Sequence, residues 1–219
     1  RGQQQRQKMN GIFITFEGTD ASGKTTQIRL LRHYLEERGI CPVVTREPGG
    51  TPVGEKIRDI LLDKENSGML PVAEALLYAA SRAQLVGEVI RPALERGKVV
   101  ISDRFTDSSI AYQGYGRNLG DIVRRINEPA TGGLRPDLTI FLRTDPTEMR
   151  KRRDASGEDR MEAQKPEFHR EVLRGYLILA EEEPDRFFVL DGGRTVEEIA
   201  EKIRIRVESL LQDKSKEKR

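Results

Sequence analysis

The sequence lacks the residues on which several kinds of protein depend. It has one cysteine, Cys41, and no tryptophan, and only 5% of its residues are aromatic. A single cysteine excludes a disulfide within the chain and a multi-cysteine metal site, and we expect Cys41 to be a small apolar residue at the start of a strand. The sequence shows no apolar run long enough for a membrane span and no secretory leader. These absences favour a reducing, cytoplasmic setting.

Histidine is also scarce, and neither sign of charge dominates. The two histidines, His33 and His169, lie in strongly charged helical patterns, so we expect both on the surface. This argues against a mechanism built on histidine. The 38 Lys and Arg residues and the 36 Asp and Glu residues give a net charge of +2 and are interleaved. That balance calls for neither a nucleic acid nor a membrane surface as partner.

The 219 residues alternate strand-like and helix-like segments. This alternation predicts one α/β domain, with a parallel sheet of about five strands and helices on both faces. We take residues 9–211 as that domain, 1–8 as a disordered or expression-derived leader and 212–219 as a charged tail. Strands are predicted at 12–17, 43–46, 99–102, 138–142 and 187–190. Helices are predicted at 25–38, 53–62, 72–96, 106–115, 121–127, 166–183 and 195–211, with a charged stretch near 146–160.

The most specific motif follows the first predicted strand. The run from Gly18 to Thr25, GTDASGKT, matches the phosphate-binding pattern G-x-x-x-x-G-K-[ST], with a strand before it and a helix after it. The glycines let successive N–H groups point at an anion, Lys24 supplies charge near the β- and γ-phosphates, and Thr25 offers Mg²⁺ a hydroxyl. A plain glycine-rich turn is the alternative. The predicted nucleoside triphosphate site comprises Gly18, Thr19, Asp20, Ala21, Ser22, Gly23, Lys24, Thr25 and Thr26.

Two further segments follow predicted strands, at the edge of a parallel sheet where ligands bind. Asp103 ends the third strand region, and its carboxylate is expected to orient Mg²⁺ or water bound to the metal. A helix cap with a surface ion pair would also explain Asp103 and Arg104. The arginine-rich run at 150–160 favours a mobile lid that contacts phosphate, and a solvated charge run is its alternative.

Together these motifs resemble bacterial thymidylate kinases. The resemblance spans residues 9–211 in order, and it implies the P-loop NTPase fold, a three-layer sandwich with an Arg-rich lid. It also implies transfer of the γ-phosphoryl group of MgATP to dTMP, giving dTDP and ADP, by an enzyme that is commonly a homodimer. The matching segments are FEGTDASGKTTQ (16–27), TREPGGTPVGEKIR (45–58), LLYAASRAQL (76–85), SDRFTDSSIAYQG (102–114) and the DRM run at 159–161.

The chemistry of this reaction suits the residues present. A nucleoside monophosphate is largely dianionic at neutral pH, so no strong base is needed, and the task is to align two polyanions and neutralise their charge. By resemblance, Arg58 and Arg104 hold the dTMP phosphate beside Lys24, although Arg58 also fits an ordinary surface arginine. Ser108 and Ser109 are expected to line the dTMP pocket, and helix capping explains them equally well.

The family divides by the source of its catalytic arginines. Here the P-loop contains Asp20 and no arginine, while the lid is rich in arginine, so the chain resembles members whose arginines come from the lid. Arg153 and Arg160 are then expected at the ATP phosphates. Asp20, and with it Glu47, is expected near the sugar 3′-hydroxyl or a metal-bound water.

Base selection is predicted from the long third helix and the SDRF segment. Tyr78 and Arg82 are four residues apart and share a helix face, so the ring can stack on a pyrimidine while the guanidinium donates to its O4. Gln113 can bond the N3–H edge, because its amide both donates and accepts. Tyr112 beside the sugar would disfavour a ribose 2′-hydroxyl. Core packing is the alternative for both tyrosines.

Three other functions compete with this hypothesis. Another nucleotide kinase of the same fold, acting on dCMP, AMP or a deoxynucleoside, shares most of the motifs. A GTPase switch requires an N-K-x-D element, and no asparagine in the chain is followed by lysine. A non-catalytic nucleotide-binding protein is disfavoured because Lys24, Thr25, Asp103 and the lid arginines are all present.

Overall fold

The sheet has the predicted architecture. The computed structural model describes residues 11–145 and 159–216. Within them lies one sheet of five parallel strands in the order β2-β3-β1-β4-β5. The central strands are apolar runs buried on both faces, as a parallel sheet covered by helices requires. The strands are β1 (Ile12–Glu17), β2 (Val43–Arg46), β3 (Val99–Asp103), β4 (Leu138–Arg143) and β5 (Phe187–Asp191).

Helices connect the strands and cover both faces of the sheet. None of the helices in the described ranges is long and apolar enough to cross a membrane. A π-helical segment (Val86–Ile90) joins α3 to α4, a second one (Ile110–Gly116) continues α5, and a 3₁₀ turn (Lys64–Asn66) follows α2. The α-helices are α1 (Lys24–Glu37), α2 (Pro52–Leu62), α3 (Pro71–Leu85), α4 (Arg91–Glu95), α5 (Thr106–Ser109), α6 (Ile122–Thr131), α7 (Pro166–Glu182) and α8 (Val196–Lys216).

The hydrophobic core forms two layers, one on each side of the sheet. On one side, α1 and α8 pack over alternate residues of the central strands, among them Ile14 and Phe16. On the other side, Phe13 of β1 packs beneath α3 and α4, and Phe141 of β4 packs beneath α7. Residues that alternate along one strand therefore enter opposite layers, which gives the three-layer sandwich.

Several helix predictions needed correction. The predicted helix 72–96 contains a π-helical turn before Pro92, because proline cannot donate to the preceding turn and its ring crowds that turn. The predicted helix 121–127 runs on to Thr131, and α8 continues to Lys216, so residues 212–216 extend the helix rather than begin a tail. The leader at 1–8 lies outside the described residues.

Two single-residue expectations were also wrong. Cys41 is an exposed free thiol two residues before β2, and not an apolar residue at the start of that strand. His33 is exposed as predicted, but His169 is buried on the inner face of α7 beside Phe168. A charged helical pattern does not by itself tell which of its residues face the core.

Close packing between α7 and the second π-helical segment gives the first prediction. A Cβ added at Gly175 would lie 2.7 Å from Tyr115 Cδ2 and 3.0 Å from Ala111 Cα, so the helices must separate to admit it. Gly175→Ala should lower the free energy of unfolding by about 1–3 kcal/mol through overpacking. Urea denaturation followed by circular dichroism measures the change.

Gly87 provides the matched control. It lies in the first π-helical segment, and a Cβ there would meet no atom within 4 Å. Gly87→Ala should leave stability unchanged or raise it by up to about 1 kcal/mol, because alanine loses less backbone entropy on folding. Equal destabilisation by the two variants would contradict the packing argument.

Candidate active site

The P-loop adopts the conformation that its glycines predict. Gly18 has φ +139°, and a Cβ there would lie 2.7 Å from the carbonyl oxygen of Leu142 in β4. Gly23 has φ +94° and immediately precedes Lys24, the first residue of α1. Only glycine adopts these angles without strain. The loop therefore folds back tightly between β1 and the start of a helix, as an anion-binding loop does.

Lys24 is held against the loop that precedes it. Its ammonium donates to the carbonyl oxygens of Gly18 (3.3 Å) and Thr19 (3.0 Å). Burial lowers the pKa of Lys24, and the nearby Arg104 lowers it further, while Asp103 and Asp20 act in the opposite direction. The ammonium is thus poorly solvated, and an anion above the loop would be a strong partner for it.

A cavity of about 440 Å³ lies above the P-loop. Thr25 of α1 and Asp103 of β3 both line it. The buried side-chain oxygens that have no hydrogen-bond partner in the described part of the chain include Thr19 Oγ1 and Ser22 Oγ of the P-loop and Asp103 Oδ1 of β3. Buried polar atoms without partners are rare and expensive, so the loop is built to receive polar ligand atoms. The cavity is lined by residues 20–26 together with Arg46, Glu47, Arg58, Asp103, Arg104 and Glu162.

A second pocket adjoins this cavity on the side of α3. Its walls carry the predicted base-binding groups Tyr78 and Gln113. Four residues line both spaces: Asp20, Glu47, Arg58 and Arg104. The pocket is completed by Pro48, Leu62, Ser108, Ser109, Tyr112, Asp159 and Met161. Apart from Arg82, the predicted dTMP residues thus line one pocket, which meets the P-loop cavity at a ring of charged side chains.

Arg104 is the central group where the two spaces meet. Its φ of +73° is unusual for a side chain with a Cβ, and such strain is typical of functional positions. The guanidinium donates to Gly18 O (2.8 Å), to Asp20 Oδ1 (2.7 Å) and to the hydroxyl of Tyr112 (3.3 Å), and it lies over the Tyr112 ring at 5.1 Å. These contacts aim one full positive charge at the junction of the two pockets.

Glu17 supports Arg104 from below. This last residue of β1 is fully buried, and its carboxylate accepts from Phe105 N–H (2.8 Å), Ser108 Oγ (2.5 Å) and Tyr176 OH (2.9 Å). Arg104 Nη1 in turn donates to the oxygens of Ser108 (3.1 Å) and Tyr176 (3.3 Å). The hydroxyl pair therefore connects the buried acid to the guanidinium.

The neighbouring phosphate-site candidates are also anchored. Arg58 Nη1 donates to Pro48 O (3.0 Å). This bond helps to orient the Arg58 side chain, which lines both pockets. Burial raises the pKa of Glu47 despite its pairing with Arg82, and Glu47 Oε1 has no partner among the described residues. Burial likewise raises the pKa of Tyr78, so its hydroxyl stays protonated.

The predicted contact of Arg82 with a base is corrected by its surroundings. Arg82 is only 1% exposed and, in the part of the chain that is described, is not among the residues lining the pocket. It donates to Glu47 through Nε (2.8 Å), to Ser109 (3.0 Å) and Asn127 through Nη1, and to Phe105 O (3.0 Å) through Nη2, which also forms an ion pair with Glu47. Four of the five N–H groups thus donate to protein oxygens, and the ion pair with Glu47 holds Nη2. Arg82 therefore positions Glu47 and Ser109, which line the pocket, and its own guanidinium is enclosed behind that lining.

The lid arginines also differ from the prediction. Arg153 lies outside the described residues. Arg160 is buried away from the P-loop cavity: its backbone N–H donates to Leu62 O (3.1 Å), and its side chain donates to Leu61 O (2.7 Å) and Glu74 (2.7 Å). The residue is the last of the predicted lid and lies in a turn that packs on the end of α2, so its guanidinium does not line the P-loop cavity among the described residues.

Two buried acids beside the site, Glu17 and Glu74, are not among the residues predicted from the sequence. Glu17 belongs to the quoted FEGTDASGKTTQ segment, and an acid at the end of a central apolar strand is a usable signal. Glu74 is fully buried beside Gln113, and a lone acid among the apolar residues of α3 was its only sign. Tyr176, on α7, had no signal in the sequence.

Comparison with known proteins agrees with this geometry. The family model described as thymidylate kinase matches residues 16–203. The chain is 53% identical over 201 residues to a thymidylate kinase of Symbiobacterium thermophilum, covering 91% of this chain and 94% of that protein. It is also 53% identical over 189 residues to a thymidylate kinase of Caldanaerobacter subterraneus, covering 86% and 90% of the two chains.

A solved structure gives the same result for the fold. The crystal structure of thymidylate kinase from Ehrlichia chaffeensis superposes with a TM-score of 0.72 at 33% sequence identity. The match covers 92% of this chain and 98% of that one. Sequence and backbone thus agree over nearly the whole chain.

Glu17 predicts a pH dependence of stability. Burial, and then the nearby Asp107 carboxylate, raise the pKa of Glu17 from 4.5 to about 7. The folded protein therefore holds a proton that the unfolded chain releases across this window, so this contribution to the free energy of unfolding falls as pH rises through it. Glu17→Gln should remove this pH dependence. The free energy of unfolding of the variant, relative to that of wild type, should therefore rise by on the order of 2 kcal/mol between pH 5 and 7.

Urea denaturation of both proteins at several pH values in this range checks the prediction. The quantity of interest is how the stability difference changes with pH, because lost hydrogen bonds shift it by a constant amount. A difference that stays the same across the range would contradict the assignment of the raised pKa to Glu17.

Proposed function

The chain belongs to the thymidylate kinase family and phosphorylates dTMP to dTDP with ATP, and we propose that its two adjoining pockets hold these nucleotides end to end. ATP would place its phosphates over the P-loop, and dTMP would place its base between α3 and the second π-helical segment. The observation that carries this proposal is the sharing of Asp20, Glu47, Arg58 and Arg104 by both spaces. A phosphoryl group can pass between two ligands only where their sites meet.

The ATP phosphates would be bound by residues 18–26. The N–H groups of the loop and the start of α1 supply partial positive charge, and Lys24 supplies a full charge. The unpartnered hydroxyls of Thr19 and Ser22 are further donors at the same place. Charge that develops on the transferred group would therefore meet a fixed set of donors.

We propose Thr25 and Asp103 as the residues that would hold Mg²⁺ and its waters. The fit rests on chemistry: both line the P-loop cavity, both offer oxygen, and Asp103 Oδ1 is buried without a partner among the residues described. When bound, Mg²⁺ supplies positive charge that neutralises the phosphates during transfer. Full turnover in excess EDTA would contradict this role.

Arg58 and Arg104 are proposed to bind the phosphate of dTMP. Both side chains reach the junction of the pockets, and each is already oriented by hydrogen bonds to carbonyl oxygens. Asp20 accepts from Arg104 at 2.7 Å and lines both spaces, which suits a role beside the sugar hydroxyl or a metal-bound water. A phosphate dianion needs no proton removed before it attacks, which agrees with a site built from cations.

The base is proposed to stack on Tyr78 and to meet Gln113. Gln113 donates through Nε2 to Glu74 (2.9 Å), while its buried Oε1 has no partner in the described ranges. That oxygen is an acceptor suited to the N3–H of thymine. Tyr112, held by Arg104 and by edge contacts with Phe168 and Tyr176, is a rigid wall suited to exclude a ribose 2′-hydroxyl.

We also propose that the enzyme is a homodimer, through α2 and α3. These adjacent helices expose Val53, Ile60, Val72 and Leu76, and Leu70 before α3 is 72% exposed. Exposed apolar residues gathered on one surface are typical of subunit interfaces. A sedimentation mass of one 24.9 kDa chain at micromolar concentration would contradict the dimer.

The cytoplasmic setting and the phosphate contact of Arg153 stay predictions.

Lys24→Ala tests the proposed ATP site. The ammonium acts mainly on phosphate charge and is desolvated by burial, so its removal should reduce kcat by at least about 100-fold without unfolding the protein. ADP release in a coupled assay with dTMP and MgATP gives kcat, and thermal melting followed by circular dichroism reports the fold.

Lys98→Ala is the matched control. Lys98 is exposed just before β3, at the opposite end of that strand from Asp103, and should be replaced without loss of turnover. If the Lys24 variant turned over at the wild-type rate, the P-loop assignment would have to be abandoned.

A further inference from the structure

One buried carboxylate lies against the base pocket and is not used in the transfer of phosphate. Glu74 of α3 has no exposed surface. Its Oε1 accepts from Gln113 Nε2 (2.9 Å) and Arg117 Nε (3.2 Å), and its Oε2 accepts from Arg117 Nη2 (3.0 Å) and Arg160 Nη1 (2.7 Å). These bonds occupy the four acceptor positions of a carboxylate.

Glu74 is kept ionised by these neighbours. Burial opposes the charged form, but the hydrogen bonds from Arg117 and Gln113, with the charge of Arg117 and the bond from Arg160, hold the pKa of Glu74 below its usual value. An ionised carboxylate accepts hydrogen bonds and donates none. Glu74 can therefore meet the side-chain amide of Gln113 only through the NH₂ group.

This bond decides which half of the Gln113 amide is left for a ligand. With NH₂ turned to Glu74, the carbonyl oxygen Oε1 is the free atom, and it is buried without a partner in the described chain. A free amide could rotate and offer either a donor or an acceptor. Thymine carries a donor at N3, whereas cytosine carries an acceptor there. Only the orientation seen here matches thymine.

We infer that Glu74 is a specificity-determining positioning residue, which holds the Gln113 carbonyl toward the base and so selects pyrimidines with an N3–H over cytosine. The inference rests on the proposed function, in which Gln113 meets the base. It explains why a site for a neutral ring has a buried acid and two arginines behind it. The arginines keep Glu74 charged, and the charge keeps it an acceptor.

E74Q tests the inference. The amide introduced by this substitution can donate as well as accept, so it no longer forces one orientation on Gln113. We expect the ratio of the dissociation constant for dCMP to that for dTMP, measured by titration calorimetry, to be at least tenfold smaller in E74Q than in wild type. A purely structural loss would weaken both nucleotides together, because they share sugar and phosphate. An unchanged ratio in folded E74Q would overturn the inference.

E74D guards against a failure of the first variant to fold. It retains the charge that Arg117 and Arg160 require, but it is one methylene shorter and draws the carboxylate away from Gln113. The dCMP to dTMP ratio should change in the same direction as for E74Q. A folded E74D with the wild-type ratio would equally overturn the proposal.

R117K is the matched control. Arg117 contacts the same carboxylate through two nitrogens, and it also contacts Gln164 and lies over the ring of Phe168, but it does not touch Gln113 in any hydrogen bond. The substitution disturbs the cluster and leaves the Gln113–Glu74 bond in place. The ratio of its dissociation constants for dCMP and dTMP should equal that of wild type. A fall as large as that of E74Q would assign the effect to the cluster as a whole and refute the positioning role.

Q113L separates this inference from the proposed function. If Q113L binds dTMP as tightly as wild type, the proposed base contact fails, whatever E74Q does. If Q113L weakens dTMP while E74Q keeps the wild-type ratio, the base contact stands and only the role of Glu74 fails.

Discussion

The parallel pairing of β1 with β3 is the constraint on which the site depends. Phe16 lies opposite Asp103, and the N–H of Arg104 donates to Phe16 O at 2.9 Å. Since β1 leads into the P-loop and β3 leads into Asp103 and Arg104, this pairing brings a carboxylate and a guanidinium to the opening of the anion-binding loop. The bond from Arg104 to Gly18 O then ties the two ends together. The pairing of apolar strands thus determines the positions of the charged groups Asp103 and Arg104.

Burial of charge is the second feature that organises the site. Three acids in or near the pocket are buried, and arginines pair with them: Arg82 with Glu47, Arg117 and Arg160 with Glu74, and Arg186 with Asp107. Such pairs add little net stability, because desolvation offsets their attraction, but breaking one is costly. Their effect is geometric: each pair holds its side chains in one orientation. Of these paired residues, only Glu47 is among the described residues that line the pocket, so most of the charges that fix its walls lie behind them.

The two pockets, proposed to bind the phosphates and the base, are built from different structural elements. The phosphate half is made of backbone N–H groups, glycines at positive φ and cations, which recognise charge and little else. The base half is made of a helix and a π-helical segment, Ile110–Gly116, whose wider turn places Tyr112 and Gln113 in the same wall. π-Helical turns are frequent at functional sites. Charge recognition and base recognition can accordingly be altered separately.

The sequence by itself determined the strands, the P-loop, the family and most residues that line the two pockets. Apolar runs between turns mark parallel strands, and the P-loop spacing is dictated by the size of a phosphate group. Only the tertiary structure decided which side chains are free to meet a ligand. Arg82 and Arg160 resemble available cations in sequence, but each is buried in an ion pair with an acid remote along the chain, Glu47 or Glu74. A pattern along one helix describes that helix, whereas the partner of a buried charge depends on which other elements pack against it.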